Sequence, residues 1–109
     1  MARSESLQGT LDLLVLKTLS RLHEAHGFGI ALHIQTVSSD LLRVEEGSLY
    51  PALHRIEQEG WIASEWRLTE NSRRAKYYRL TAAGRRQLAQ AEKDWARVVQ
   101  GVKAVLNYV

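Results

Sequence analysis

Apolar residues recur at three- and four-residue steps over residues 8–22, where Leu11, Leu14, Val15, Leu19 and Leu22 form one stripe. That period is helical. Leu13 and Leu16 fall outside the stripe, so this helix is apolar nearly all round, as a central helix or one shared with a second subunit would be. Residues 1–6 read as a loose arm. The segment HEAHG, residues 23–27, ends the first helix, and a second is predicted over 28–38 with Ile30, Ile34 and Val37 inward. Ser38, Ser39 and Asp40 break it, and residues 42–44 suit a very short strand. A third helix over 45–60 places Leu49, Leu53 and Ile56 at i, i+4, i+7, flanked by Ala52. Pro51 lacks an N–H, so the helix begins at about 46–48, and Gly60 is a natural stop. After Gly60 the period becomes two: Ile62, Ser64, Trp66 and Leu68 alternate with Ala63, Glu65 and Arg67. A polar turn over 69–74 leads to a second strand over 75–80, with Tyr78 and Leu80 inward. Thr81 can cap a last helix, along which Leu88, Ala91, Trp95, Val98, Val102, Val105 and Val109 fall at alternating steps of three and four, a heptad stripe.

Two helices joined by a few residues, the second with a polar outward face, fit a helix-turn-helix, and the hairpin after it fits a wing. The fold class expected is mainly α with a small β-hairpin: a winged helix-turn-helix over 1–80 and a long C-terminal dimerisation helix over 81–109. A chain of 109 residues, 45% apolar and 25% charged, is one globular domain. With no cysteine, disulfides, cysteine-based zinc sites and thiol nucleophiles are excluded. No apolar run is long enough to span a membrane, and the first residues lack the apolar core of a secretory signal. A cytoplasmic protein is the expectation.

The net charge of +3 matters less than its distribution. Residues 67–86 hold Arg67, Arg73, Arg74, Lys76, Arg79, Arg85 and Arg86 against the single acid Glu70, whereas residues 45–60 hold Glu45, Glu46, Glu57 and Glu59 against one arginine. Phosphate-neutralising side chains belong on such a wing; the bland alternative is a solvated hairpin with chance basic residues. The outer face of the third helix collects Gly47, Pro51, His54 and Gln58, with Tyr50 and Arg55 at its edges, small and uncharged enough for close approach to DNA. Its acids read as solvated groups at helix ends. No enzyme site emerges. His23 and His26 are three apart rather than the four of a zinc-protease helix, Gly27 and Gly29 follow no predicted strand, and no Ser–His–Asp set can be argued from spacing. No metal or cofactor is expected.

The run GSLYPALHRIEQEGWI, followed by a hairpin ending in AKYYRLTAAGRRQL, closely resembles the PadR family of winged-helix transcriptional regulators. The matching stretches are residues 47–53, 56–60 and 78–84, and the opening GTLDLLVLKTL and the GFGI at 27–30 are also similar to the family. The wing tip departs from it, since residues 71–76 hold neither Gly nor Pro, and the chain resembles the short branch that lacks a long C-terminal domain. The resemblance implies a regulator, as a rule a repressor, that binds a pseudo-palindromic double-stranded DNA operator as a homodimer. Gly47, Ser48, Tyr50, Pro51, His54 and Arg55 would meet the major groove and its phosphates, and Arg73, Arg74 and Lys76 the backbone. Dimerisation would use Leu88, Ala91, Trp95, Val98, Val102 and Val105. Short members bind planar aromatic compounds between paired tryptophans, which implies an effector site at Trp95, with Leu11, Val15 and Thr18 as candidate walls; the other reading makes Trp95 plain dimer core. A winged-helix protein-interaction module without specific DNA binding is the alternative function.

Overall fold

The computed structural model describes residues 2–108, with side chains from residue 9 onward. In chain order it contains α1 (Ala2–Leu22), β1 (Glu24–His26), α2 (Gly27–Val37), α3 (Glu46–Gln58), β2 (Ile62–Leu68), β3 (Arg74–Leu80) and α4 (Ala82–Leu106). The arm expected over 1–6 is helical from Ala2, Met1 lying outside the described residues.

The turns follow from local chemistry. His23 takes a left-handed φ of 68° and ends α1. His26 then caps α2, its Nδ1 accepting the Gly29 N–H at 3.0 Å. Pro51 sits in the second turn of α3, where it removes the N–H that would reach the Gly47 carbonyl. Gly60, at φ 82°, stops α3 as expected. Thr81 caps α4 by accepting the Gly84 N–H at 3.0 Å and donates its own hydroxyl proton to the Gly60 carbonyl at 2.7 Å.

The sheet has three antiparallel strands in the order β1-β3-β2, so the wing is more than the hairpin expected. Ala25 and Ser64 flank Tyr78, and Ile62 pairs with Leu80. The short strand expected over 42–44 is absent; the third strand is instead Glu24–His26, in the segment read only as a helix terminator. One core joins Val15, Leu16 and Leu19 of α1, Ile30 and Ile34 of α2, Leu49, Leu53 and Ile56 of α3, Ile62, Tyr78 and Leu80 of the sheet, and Leu88 of α4.

Three sequence expectations shift. Leu16, left outside the α1 stripe, is fully buried, while Leu22 is exposed, because α1 is covered on more than one side near its middle and on neither at its end. Val37 is exposed, since the last turn of α2 projects past the core. Leu88, expected at a dimer seam, is buried within the monomer. Beyond it the stripe residues Trp95, Val98, Val102 and Val105 are exposed, and Val109 lies outside the described residues.

Candidate nucleic-acid interface

The apolar side of α3 is buried as its spacing required, so the opposite side points outward: Gly47, Ser48, Pro51 and His54 are exposed. Gly47 has nothing near the position of an added Cβ, leaving its backbone open to close approach. Tyr50 is half-exposed, with its hydroxyl resting on Gly27 at the start of α2; a Cβ there would lie 2.5 Å from the Tyr50 hydroxyl oxygen. Only a glycine leaves room for that ring.

Arg55 stands apart from this set. It turns toward α1 and donates to Asp12 Oδ1. Burial pushes the Asp12 carboxyl above its ordinary value, although the Arg55 charge opposes the shift. In the free protein Arg55 is a tie between helices.

The wing carries a cluster of five cations, Arg67, Arg73, Arg74, Lys76 and Arg79. Arg73 and Arg74 are exposed, and Arg74 stacks on the Trp66 ring with its guanidinium 5.0 Å from the centroid. Neither has an acidic partner among the described residues. The tip lacks glycine, and Ser72 takes the left-handed conformation there at φ 59°. Lys76 is paired with Glu57 at 3.4 Å and lies over the Tyr78 ring.

Glu57 is the residue that sequence reasoning missed. Read as a solvated acid at a helix end, it sits instead at the junction of α3 with both wing strands. The Ser64 hydroxyl of β2 donates to it at 2.6 Å, and Lys76 of β3 approaches its other oxygen. The Ser64 hydrogen bond, followed by Lys76, holds its carboxyl below the usual 4.5. Alternation offered a signal, because Ser64 and Lys76 are the polar members of otherwise inward-facing strand positions. On the outer sheet face, Glu24 of β1 accepts two hydrogen bonds from Arg67 of β2, at 2.8 and 2.6 Å, across Tyr77 of β3. These contacts brace the wing on both faces.

Together, Tyr50, Arg73, Arg74 and Lys76 border one cleft of about 750 Å³, which His26, Gly27 and Phe28 also line. A second cleft, of about 320 Å³, lies between α1 and α4 at Trp95. Its α1 wall is Gly9, Asp12, Leu13 and Leu16 rather than Leu11, Val15 and Thr18. Val15 and Thr18 are buried away from this cleft, with the Thr18 hydroxyl donating to the Leu14 carbonyl.

A helix-turn-helix whose second helix shares a basic cleft with a following wing defines a winged helix-turn-helix protein. Comparison with known proteins narrows the class. Residues 15–90 match the transcriptional regulator PadR-like family, and the chain belongs to that family. It is 39% identical over 82 residues to the transcriptional regulator Rv3488 of Mycobacterium tuberculosis, an alignment covering 72% of this chain and 73% of that one. Among solved structures, it is similar to a PadR family transcriptional regulator from Eggerthella lenta, with a TM-score of 0.73 and 33% identity over 99% of this chain and 92% of that one. A transcriptional regulator from Clostridium thermocellum superposes with a TM-score of 0.81 at 26% identity, covering 91% and 95% of the two chains.

Proposed function

We propose that this PadR-like transcriptional regulator is a repressor that binds a pseudo-palindromic operator as a homodimer. Residues 1–80 contact DNA and residues 81–109 join the protomers. One observation carries the reading: Tyr50, at the edge of the uncharged outer face of α3, borders the same cleft as Arg73 and Arg74, which have no acidic partner among the described residues. Gly47, Ser48, Tyr50, Pro51 and His54 face the major groove, with Arg55 joining them on release from Asp12, and Arg73, Arg74 and Lys76 neutralise backbone phosphates. The test is a mobility-shift titration over a salt series with duplexes from the region upstream of the gene. Replacing both Arg73 and Arg74 with Ala should flatten the slope of log affinity against log salt by roughly one to two units, with base preference retained. A variant with an unchanged slope would remove the wing from the interface.

The exposed α4 stripe supports the dimer, and the cleft at Trp95 supports an effector site for a planar aromatic small molecule. On α1, Leu13 and Leu16 replace the walls expected from sequence, and Ala91 faces them from α4. In a Trp61→Phe/Trp66→Phe protein, planar aromatic compounds should quench Trp95 saturably. Absence of quenching across a broad aromatic panel would leave Trp95 as plain dimer core.

A further inference from the structure

Period-two alternation puts Ile62, Ser64, Trp66 and Leu68 on one face of β2, the face turned toward α3. Exposure along it climbs from 2% at Ile62 to 57% at Trp66 and 68% at Leu68. The wing runs out past the helices that cover its base, yet β2 keeps large apolar side chains on this face, beside Lys76 and Arg74 of β3. Trp66 lines the cleft between the wing and α3, and Arg74 holds its ring in place from one side. The same cleft is lined by Phe28, the second residue of α2, which is 67% exposed. Both rings line one cleft and are more than half exposed, so a partner entering the cleft would cover both.

The charge around them selects that partner. Arg73 and Arg74 lack acidic partners among the described residues, and Lys76 completes a cationic wall beside the Tyr50 hydroxyl. Basic groups interleaved with aromatic faces suit a polymer of alternating phosphate and apolar units. A sugar-phosphate strand is such a polymer: its phosphates are anionic and its deoxyribose rings present C–H faces. The cleft also lies between α3 and the wing, where the strand separating a major from a minor groove would pass.

We propose that one sugar-phosphate strand of duplex DNA threads this cleft, with its phosphates on Arg73, Arg74 and Tyr50 and its deoxyribose faces covered by Trp66 and Phe28. The proposal rests on the DNA-binding reading above and adds two residues that neutralise no charge. Their contribution is independent of sequence, like that of the arginines. Unlike theirs, it is insensitive to salt, because covering a sugar face releases no counterion.

The experiment compares the wild type with Trp66→Ala, Phe28→Ala and Arg74→Ala by fluorescence anisotropy, using a labelled duplex from the upstream region and a random duplex of equal length. Trp66→Ala should lose roughly tenfold in affinity for both duplexes with its salt slope unchanged, and Phe28→Ala should lose less in the same way. Arg74→Ala should flatten the slope. Unchanged affinity in both aromatic variants overturns the proposal while leaving DNA binding intact. A slope flattened in Trp66→Ala as in Arg74→Ala also overturns it, because Trp66 then serves only to position the arginine. Failure of the wild type to bind either duplex at low salt ends the DNA reading and this proposal together. As a second readout, Trp61→Phe/Trp95→Phe leaves Trp66 as the single tryptophan. Its emission should change saturably with duplex and stay constant with inorganic phosphate; constant emission with duplex bound is again the overturning result.

Discussion

Gly84 marks the closest approach between the start of α4 and the turn before β2. A Cβ at this position would lie 2.0 Å from the Trp61 carbonyl oxygen, which already accepts the Thr81 N–H at 3.0 Å. Backbone on both sides leaves little freedom to yield, so Gly84→Ala should destabilise the fold by about 2–3 kcal/mol. Urea unfolding followed by circular dichroism measures this, and a midpoint within error of wild type would show that the contact relaxes without cost. Gly27 solves a comparable problem for the Tyr50 ring. The two glycines differ in consequence, because one fixes α4 to the domain and the other seats a side chain at the proposed DNA surface.

Among elements, the junction of α3 with the wing depends on one carboxylate. Glu57→Ala removes the Ser64 hydrogen bond and the Lys76 pair, for a loss of about 1 kcal/mol given their partial exposure. It also removes the carboxylate that competes with phosphate for Lys76, so affinity for random duplex should rise. A variant that loses stability without that change would make Glu57 a brace alone. The folded carboxyl titrates below the ordinary 4.5. Its contribution is therefore fully present above that value and disappears as pH falls through the lower, folded one. Glu57→Gln should lack this part of the acid limb in a pH series of urea midpoints. Local patterns made much of this architecture legible: the α3 stripe with its Gly60 stop, the period change into β2, and the basic tip. What was not legible depends on distant pairing. Three residues are too few for β1 to show a period, and its partner β3 lies far along the chain. The role of Glu57 follows from β2 and β3 both reaching the end of α3, a tertiary contact that no local pattern encodes. The face of α1 beside Trp95 was misjudged because an all-apolar helix does not mark which side meets α4.

At the scale of the molecule, the chain is extended for its length. Its radius of gyration is 15.2 Å and its extents are 59 × 29 × 24 Å, against about 13 Å expected for a compact chain of this size. The excess comes from α4, whose 25 residues continue past Leu88 with the apolar face of Val98, Val102 and Val105 uncovered. Val102→Glu places a charge in the middle of that stripe. In sedimentation velocity at micromolar concentration, the wild type should run as a dimer and the variant as a folded monomer with operator affinity reduced by two orders of magnitude or so. A wild-type monomer would refute the assembly. The strand order has a consequence of its own. β3, the last strand to be synthesised, lies between the other two, so neither β1 nor β2 has a partner until it emerges from the ribosome. The three preceding helices need only local contacts to begin forming. A nascent chain thus carries α3 well before it has a wing, and the cleft between them cannot form until synthesis has passed Leu80.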